Sequence, residues 1–382
     1  MAMTFDEIIP TVRDILDAYG NLLEALEWMI VNRDLTGRVS LVVPDIAYKD
    51  NSVQYRLHEV ASALERDLGS HGYPADRAVL YEENRDMVLA NASHFPLGDK
   101  SERVTVVDRL LTEGRWGAIE EETEGARRVV FYSIKGGVGR STALAMSAWW
   151  LAQAGMRVLV LDMDLESPGL SSTLLPEERR PAYGIADWLV EDMVGNGEAV
   201  LDDMVATSEF AREGEIIVVP AHGQDPGDYV GKLGRVWMPG RDYNGAKQAW
   251  HHRVNRMLDR LESQWQPDVI LIDSRSGIDD IASACVTDLR AGLVLLFAHD
   301  DAQTWTGYRL LFRYWAQARV VPNMRPRLQI AGATLPDVET AVRFDELRER
   351  AWDLFSDHLY DEIPAKVERE QDFWNFDDQD ES

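Results

Sequence analysis

The chain has 382 residues, 45% apolar and 27% charged, which excludes a disordered polymer and leaves room for two globular domains. Its formal net charge of −27, from 39 basic and 66 acidic residues, disfavours nucleic acid and anionic membrane as partners and suits a protein with a basic face. One cysteine, Cys285, excludes an internal disulfide and a cysteine metal cluster. Neither a signal peptide at Met1-Ala2-Met3-Thr4-Phe5-Asp6-Glu7 nor a membrane-length apolar run is present, so a cytoplasmic location is expected.

Residues 1–111 read as a small α/β domain of unassigned role. Apolar residues recur at helical spacing from Phe5 to Val31: Ile8, Val12, Ile15, Leu16, Leu22, Leu23, Leu26, Met29 and Ile30. Ser40-Leu41-Val42-Val43 reads as a strand, Tyr55 to Leu68 as an amphipathic helix, and Ala78–Tyr81 and Val104–Val107 as further strands. His58, His71 and His94 are isolated and form no catalytic constellation. Residues 112–127, with Gly114, Gly117, Gly125 and the run Glu120-Glu121-Glu122, read as a linker.

From Arg128 onward, strands alternate with helices. Strands are expected at 128–133, 157–162, 216–220, 268–273, 292–297 and 328–332. Most are near-continuous apolar runs, as in Val158-Leu159-Val160-Leu161. Such runs fit strands buried on both faces of a mostly parallel, doubly wound sheet.

The first of these strands runs into Ile134-Lys135-Gly136-Gly137-Val138-Gly139-Arg140-Ser141-Thr142, and a helix follows. Strand, glycine loop and helix N-terminus together suit a phosphate chain, because glycines let backbone N–H groups converge on the anion. Two aspartate segments end later strands: Asp162-Met163-Asp164 and Asp273-Ser274-Arg275-Ser276-Gly277. Open α/β sheets bind ligands at such strand ends.

The stretch Lys135 to Thr142 resembles the deviant Walker A motif of the MinD/ParA family of P-loop ATPases. Asp162-Met163-Asp164 resembles that family's second motif, and Asp273 to Gly277 resembles its Walker B segment. Ile216 to Ala221 is similar to the family's intervening strand, and Ile363-Pro364 to its base pocket, so the resemblance spans 128–370. It implies bound ATP and Mg²⁺, and a homodimer formed with ATP. Gly136, Gly137, Val138, Gly139, Arg140, Ser141 and Thr142 cradle phosphates in this scheme, and Pro364 faces the base. Ser141, Asp162 and Asp273 serve the metal. Asp164 positions the attacking water, and Lys135 reaches the partner subunit's nucleotide.

Two positions depart from the family pattern. Ile134 stands where ordinary P-loops have their first glycine, and Arg140 stands where they have lysine. Arginine keeps the charge as a planar fork rather than a compact ammonium. Arg140 either bridges phosphates in a working ATPase or leaves a chain that binds ATP and hydrolyses it slowly or not at all. A nucleotide-dependent switch acting on a protein partner is the leading expectation, with an ATP-loaded scaffold as the alternative. A bacterial tyrosine kinase is disfavoured, because the last stretch holds only Tyr360 where those kinases carry a tyrosine cluster.

Arg275 reads as a phosphate contact, an interface contact or a solvated cation. Cys285 reads as a small buried thiol, and Trp149-Trp150 as packing. The tail 371–382 is acidic around Phe373, Trp374 and Phe376 and reads as solvated or as a docking segment.

Overall fold

The computed structural model describes residues 3–90, 92–98, 103–110, 116–241, 247–335 and 339–361. The chain divides into two compact units, one of residues 1–113 together with Gln317–Arg319 and the other of residues 114–316 and 320–382.

The first unit is a mixed sheet of five strands among the described residues, in the order β3-β2-β1-β5-β4. They are β1 (Met29–Arg33), β2 (Val39–Pro44), β3 (Val79–Glu82), β4 (Ser93–Pro96) and β5 (Val104–Asp108). The helical spacing from Phe5 does not continue to Val31. Helices Phe5–Ala18 and Gly20–Ala25 end before it, and Met29 to Arg33 form the central strand. That strand pairs antiparallel with β2 and parallel with β5. Edge-to-edge hydrogen bonding on both sides outweighs the local helical pattern of a short apolar run. Alternate residues of these strands face opposite sides. Met29, Val31, Leu41, Val43 and Val106 pack with the helices Phe5–Ala18 and Asn51–Leu68, while Ile30, Val42 and Val107 pack with Trp28 on the other face. Asp50 caps the second of these helices by accepting the N–H groups of Ser52 and Val53.

The second unit holds β6 (Arg127–Ser133), β7 (Arg157–Asp162), β8 (Ala206–Thr207), β9 (Glu215–Val219), the ribbon β10 (Gly240–Arg241) and β11 (Lys247–Gln248), β12 (Val269–Asp273), β13 (Leu293–Ala298) and β14 (Leu328–Gly332). Among the described residues its main sheet runs β14-β13-β6-β12-β7-β9-β8, parallel throughout except for the β8–β9 edge. Val130, Tyr132, Leu159, Leu161, Ile270 and Ile272 point to one core. Val129, Phe131, Val158, Val160 and Leu271 point to the other. Helices therefore cover both faces, and the continuous apolar runs follow from burial on both sides. The α/β class and the mostly parallel sheet agree with the sequence.

Residues 116–127 are not a free tether. Trp116 is buried in the core of the second unit, and the Glu120 N–H donates to Thr287 O. Trp149 and Trp150 also differ from expectation. Both are substantially exposed on the helix Arg140–Gln153, whose buried face carries Leu144, Ala145, Ala148 and Ala152 instead. Cys285 is fully buried, and burial pushes its thiol up to about 12. No helix of the described residues is long and apolar enough to cross a membrane.

Arg128 braces the N-terminal end of β6. It is fully buried, and its guanidinium donates to Asn255 Oδ1 at 2.9 Å, Leu289 O at 3.2 Å, Asp259 Oδ1 at 2.8 Å and Glu262 Oε2 at 3.4 Å. Replacing it leaves those acceptors short of a donor. Arg128→Met is expected to cost about 2 kcal/mol, read as a lower urea midpoint with an unchanged denaturant slope.

Candidate functional site

The site lies at the carboxyl ends of β6, β7 and β12. β6 ends at Ser133, the glycine loop follows, and the helix Arg140–Gln153 begins at once. Gly137 and Gly139 take φ of +74° and +81°, a region that side chains with a Cβ adopt only under strain. Glycine at both positions lets the chain turn tightly from strand into helix. It also leaves the first helical N–H groups without intrahelical partners, as an anion site needs.

Sheet register brings the carboxylates together. Asp273 of β12 is the direct cross-strand partner of Asp162 of β7, and the Met163 N–H donates to Asp273 O at 3.0 Å. Asp162 is fully buried, and neither of its carboxylate oxygens has a hydrogen-bond partner of normal geometry. Burial, reinforced by the charges of Asp273 and Asp164, pushes its pKa up to about 7. Burial also raises Asp273 and Asp164, against the pull of Arg140.

Arg140 is the cation among them. It is only 7% exposed. Its Nε donates to Asp273 Oδ1 at 2.6 Å, and its other nitrogens donate to Ser133 Oγ and Asp164 Oδ2, each at 3.3 Å. Asp273 also accepts from the Ser141 hydroxyl. The structure thus brings Arg140, Ser141, Asp162, Asp164 and Asp273 into one cluster.

Lys135 lies apart from that cluster. It is half-exposed, and its Nζ donates to Asp301 Oδ2 at 3.1 Å. Asp301 is held down to about 2, first by the Thr304 N–H at 2.8 Å and then by Lys135. No sequence motif singled out Asp301. Only the end of β13, beside β6, places it there. Arg275 is ion-paired with Glu166 at 2.7 Å and Asp279 at 3.3 Å rather than being a free solvated cation. Tyr229 is a residue that sequence reasoning missed. Its hydroxyl donates to Leu165 O at 2.7 Å and so braces the loop after Asp164. Pro364 and the tail 371–382 lie outside the described residues.

The donor set suits a hard cation. The buried carboxylate of Asp162, which the backbone N–H groups of Ser171 and Asp164 help to stabilise, stands beside Asp273 and the Ser141 hydroxyl. Among the described residues no three His, Cys, Asp or Glu side chains form a ready protein cage. Mg²⁺ needs none, since it keeps waters and takes oxygens from phosphates.

A glycine loop on a central parallel strand, with aspartates ending the adjacent strands, defines a P-loop nucleotide-binding domain. The family model for the CobQ/CobB/MinD/ParA nucleotide binding domain matches residues 129–370, and the chain belongs to that family. Among solved structures, the chain is similar to a plasmid partition protein from Borrelia burgdorferi (16% identity, 59% of this chain and 86% of that one, TM-score 0.41). It is also similar to a ParA family ATPase from Chlorobium tepidum TLS (17% identity, 59% and 81%, TM-score 0.41). A third is cobyrinic acid a,c-diamide synthase from Mycobacterium smegmatis with bound ADP and magnesium (20% identity, 63% and 85%, TM-score 0.42). No curated protein matches the chain.

The electrostatics of Asp162 give a pH signature. A carboxyl whose folded pKa is raised binds its proton more tightly when folded, so stability falls as pH rises from the unfolded value near 4 to the folded value near 7. Asp162→Asn is expected to flatten that fall and to stabilise the nucleotide-free chain at pH 7.5. Urea melts of both proteins at pH 5 and pH 7.5 check this; parallel pH dependences would contradict it.

Proposed function

We propose that the chain binds Mg²⁺-ATP and acts as a nucleotide-dependent dimerising switch that regulates a protein partner. The observation that carries the reading is the convergence of the glycine loop with Asp162, Asp164 and Asp273 at one sheet edge. In this reading the N–H groups of residues 136–142 hold the phosphates, and Ser141, Asp273 and Asp162 hold Mg²⁺. The metal supplies charge neutralisation of the phosphate oxygens. Asp164 orients a water. The proposed domain division is a small N-terminal unit, 1–111, that reports to or braces a nucleotide-binding unit, 128–370, with an acidic tail beyond it. The net charge of −27 supports a partner with a basic face.

Lys135 is the proposed contact to the partner subunit's nucleotide, adding positive charge where phosphoryl transfer develops negative charge. Its ion pair with Asp301 has to open for that role. Light scattering with Mg²⁺-ATP, Mg²⁺-ADP and no nucleotide tests the switch. A dimer formed only with ATP is expected, and a mass indifferent to nucleotide would remove the reading. Lys135→Ala is expected to abolish the ATP-driven dimer while nucleotide binding persists.

Asp301→Asn tests the ion pair separately. Freed of its carboxylate, Lys135 is available to the partner, so the ATP concentration giving half-maximal dimer should fall severalfold. An unchanged midpoint would mean that the pair does not restrain Lys135.

A further inference from the structure

Arg140 occupies an unusual place for a cation of the glycine loop. It is the first residue of its helix, yet its side chain turns back onto the strand ends rather than outward to solvent. The three arms of the guanidinium reach three different acceptors: Asp273 at 2.6 Å, Asp164 at 3.3 Å and Ser133 at 3.3 Å. A lysine ammonium is a single point and cannot span that set with the same geometry. Asp273 and Arg140 are both almost fully buried, where attraction between opposite charges is strong and an unpaired charge is costly. The fork compensates two of the three carboxylates. Asp162 lies buried beside Asp273 and is not among the fork's acceptors.

We propose that Arg140 is a built-in counter-cation that competes with divalent metal for Asp273 in the nucleotide-free chain, while its fork also holds Asp164. The inference rests on the assignment of Asp273 to a Mg²⁺-nucleotide site. Metal entering alone has to displace a buried, hydrogen-bonded guanidinium. Metal entering with a nucleotide brings phosphate oxygens, which give the same fork a replacement acceptor. The chain therefore takes up metal with nucleotide and rejects it alone. Arginine in place of lysine becomes a device for that coupling rather than a defect in the loop.

The test is Mn²⁺ binding to the full nucleotide-free chain, followed by electron paramagnetic resonance of free Mn²⁺. The native chain is expected to bind Mn²⁺ weakly. Arg140→Met should bind about tenfold more tightly or better, and Asp273→Asn added to that variant should abolish the gain. Arg140→Lys keeps a cation with fewer contacts and should fall between the two. It also carries the comparison if Arg140→Met does not fold without metal. Equal Mn²⁺ affinity in the native chain and Arg140→Lys, or in the native chain and Arg140→Met, would overturn the proposal.

Titration of the native chain with a fluorescent ATP analogue separates the two ideas. Nucleotide binding without a metal gain in the variants removes the counter-cation and leaves the nucleotide site. A metal gain without nucleotide binding leaves the counter-cation and removes the nucleotide site.

Discussion

The site depends on a balance of buried charge at one sheet edge. Parallel pairing of β12 with β7 sets Asp273 directly beside Asp162, and the loop after β7 adds Asp164. Three carboxylates so close, two of them almost completely buried, raise one another's energy by repulsion and by loss of water. Arg140 offsets part of that cost through Asp273 and Asp164. Asp162 is not among the acceptors of Arg140, and burial keeps its pKa raised. A fold that retains such a residue tolerates instability where a cationic ligand would relieve it, a pattern common in functional sites.

The scaffold makes that arrangement possible. β6 lies between β12 and β13, in the interior of a sheet covered on both faces. Its C-terminal end is therefore anchored by neighbours on both sides. The Ser274 N–H donates to Phe131 O and the Gly277 N–H to Ser133 O, stitching the segment after β12 to β6. Tyr132 closes the stitch with its hydroxyl on Gly277 O at 2.9 Å. Rigid strands thus carry Asp162 and Asp273, and the glycine loop is shaped by backbone freedom. Precision at the site comes from the sheet, which is why short apolar runs far from any charge matter to the chemistry.

The two basic residues of the loop are each restrained by an acid of the same chain. Lys135 rests on Asp301 and Arg140 on Asp273 and Asp164. In the proposed reading a phosphate chain would compete with carboxylates for both, which would link nucleotide occupancy to the state of these pairs. For Lys135 the restraint sits in partly exposed surroundings and is weak; for Arg140 it is buried and strong.

Much of this was legible in the sequence. Local chemistry determined the glycine loop, the strand runs of the second unit and the aspartates at their ends. Glycine spacing and continuous apolar stretches depend on nothing distant. Tertiary structure decided the rest. Met29 to Arg33 became a strand because partners stood on both edges, although their spacing continued a helix. Trp149 and Trp150 were left exposed because small residues, Ala145 and Ala148, let the helix approach the sheet on its other face. Asp301 met Lys135 across 166 residues of chain. The sequence by itself determined which groups could carry the chemistry, because residue type and spacing set what a segment can bind. Only the tertiary structure decided that Arg140 rests on carboxylates, because its alternative acceptors converge through strand register rather than along the chain.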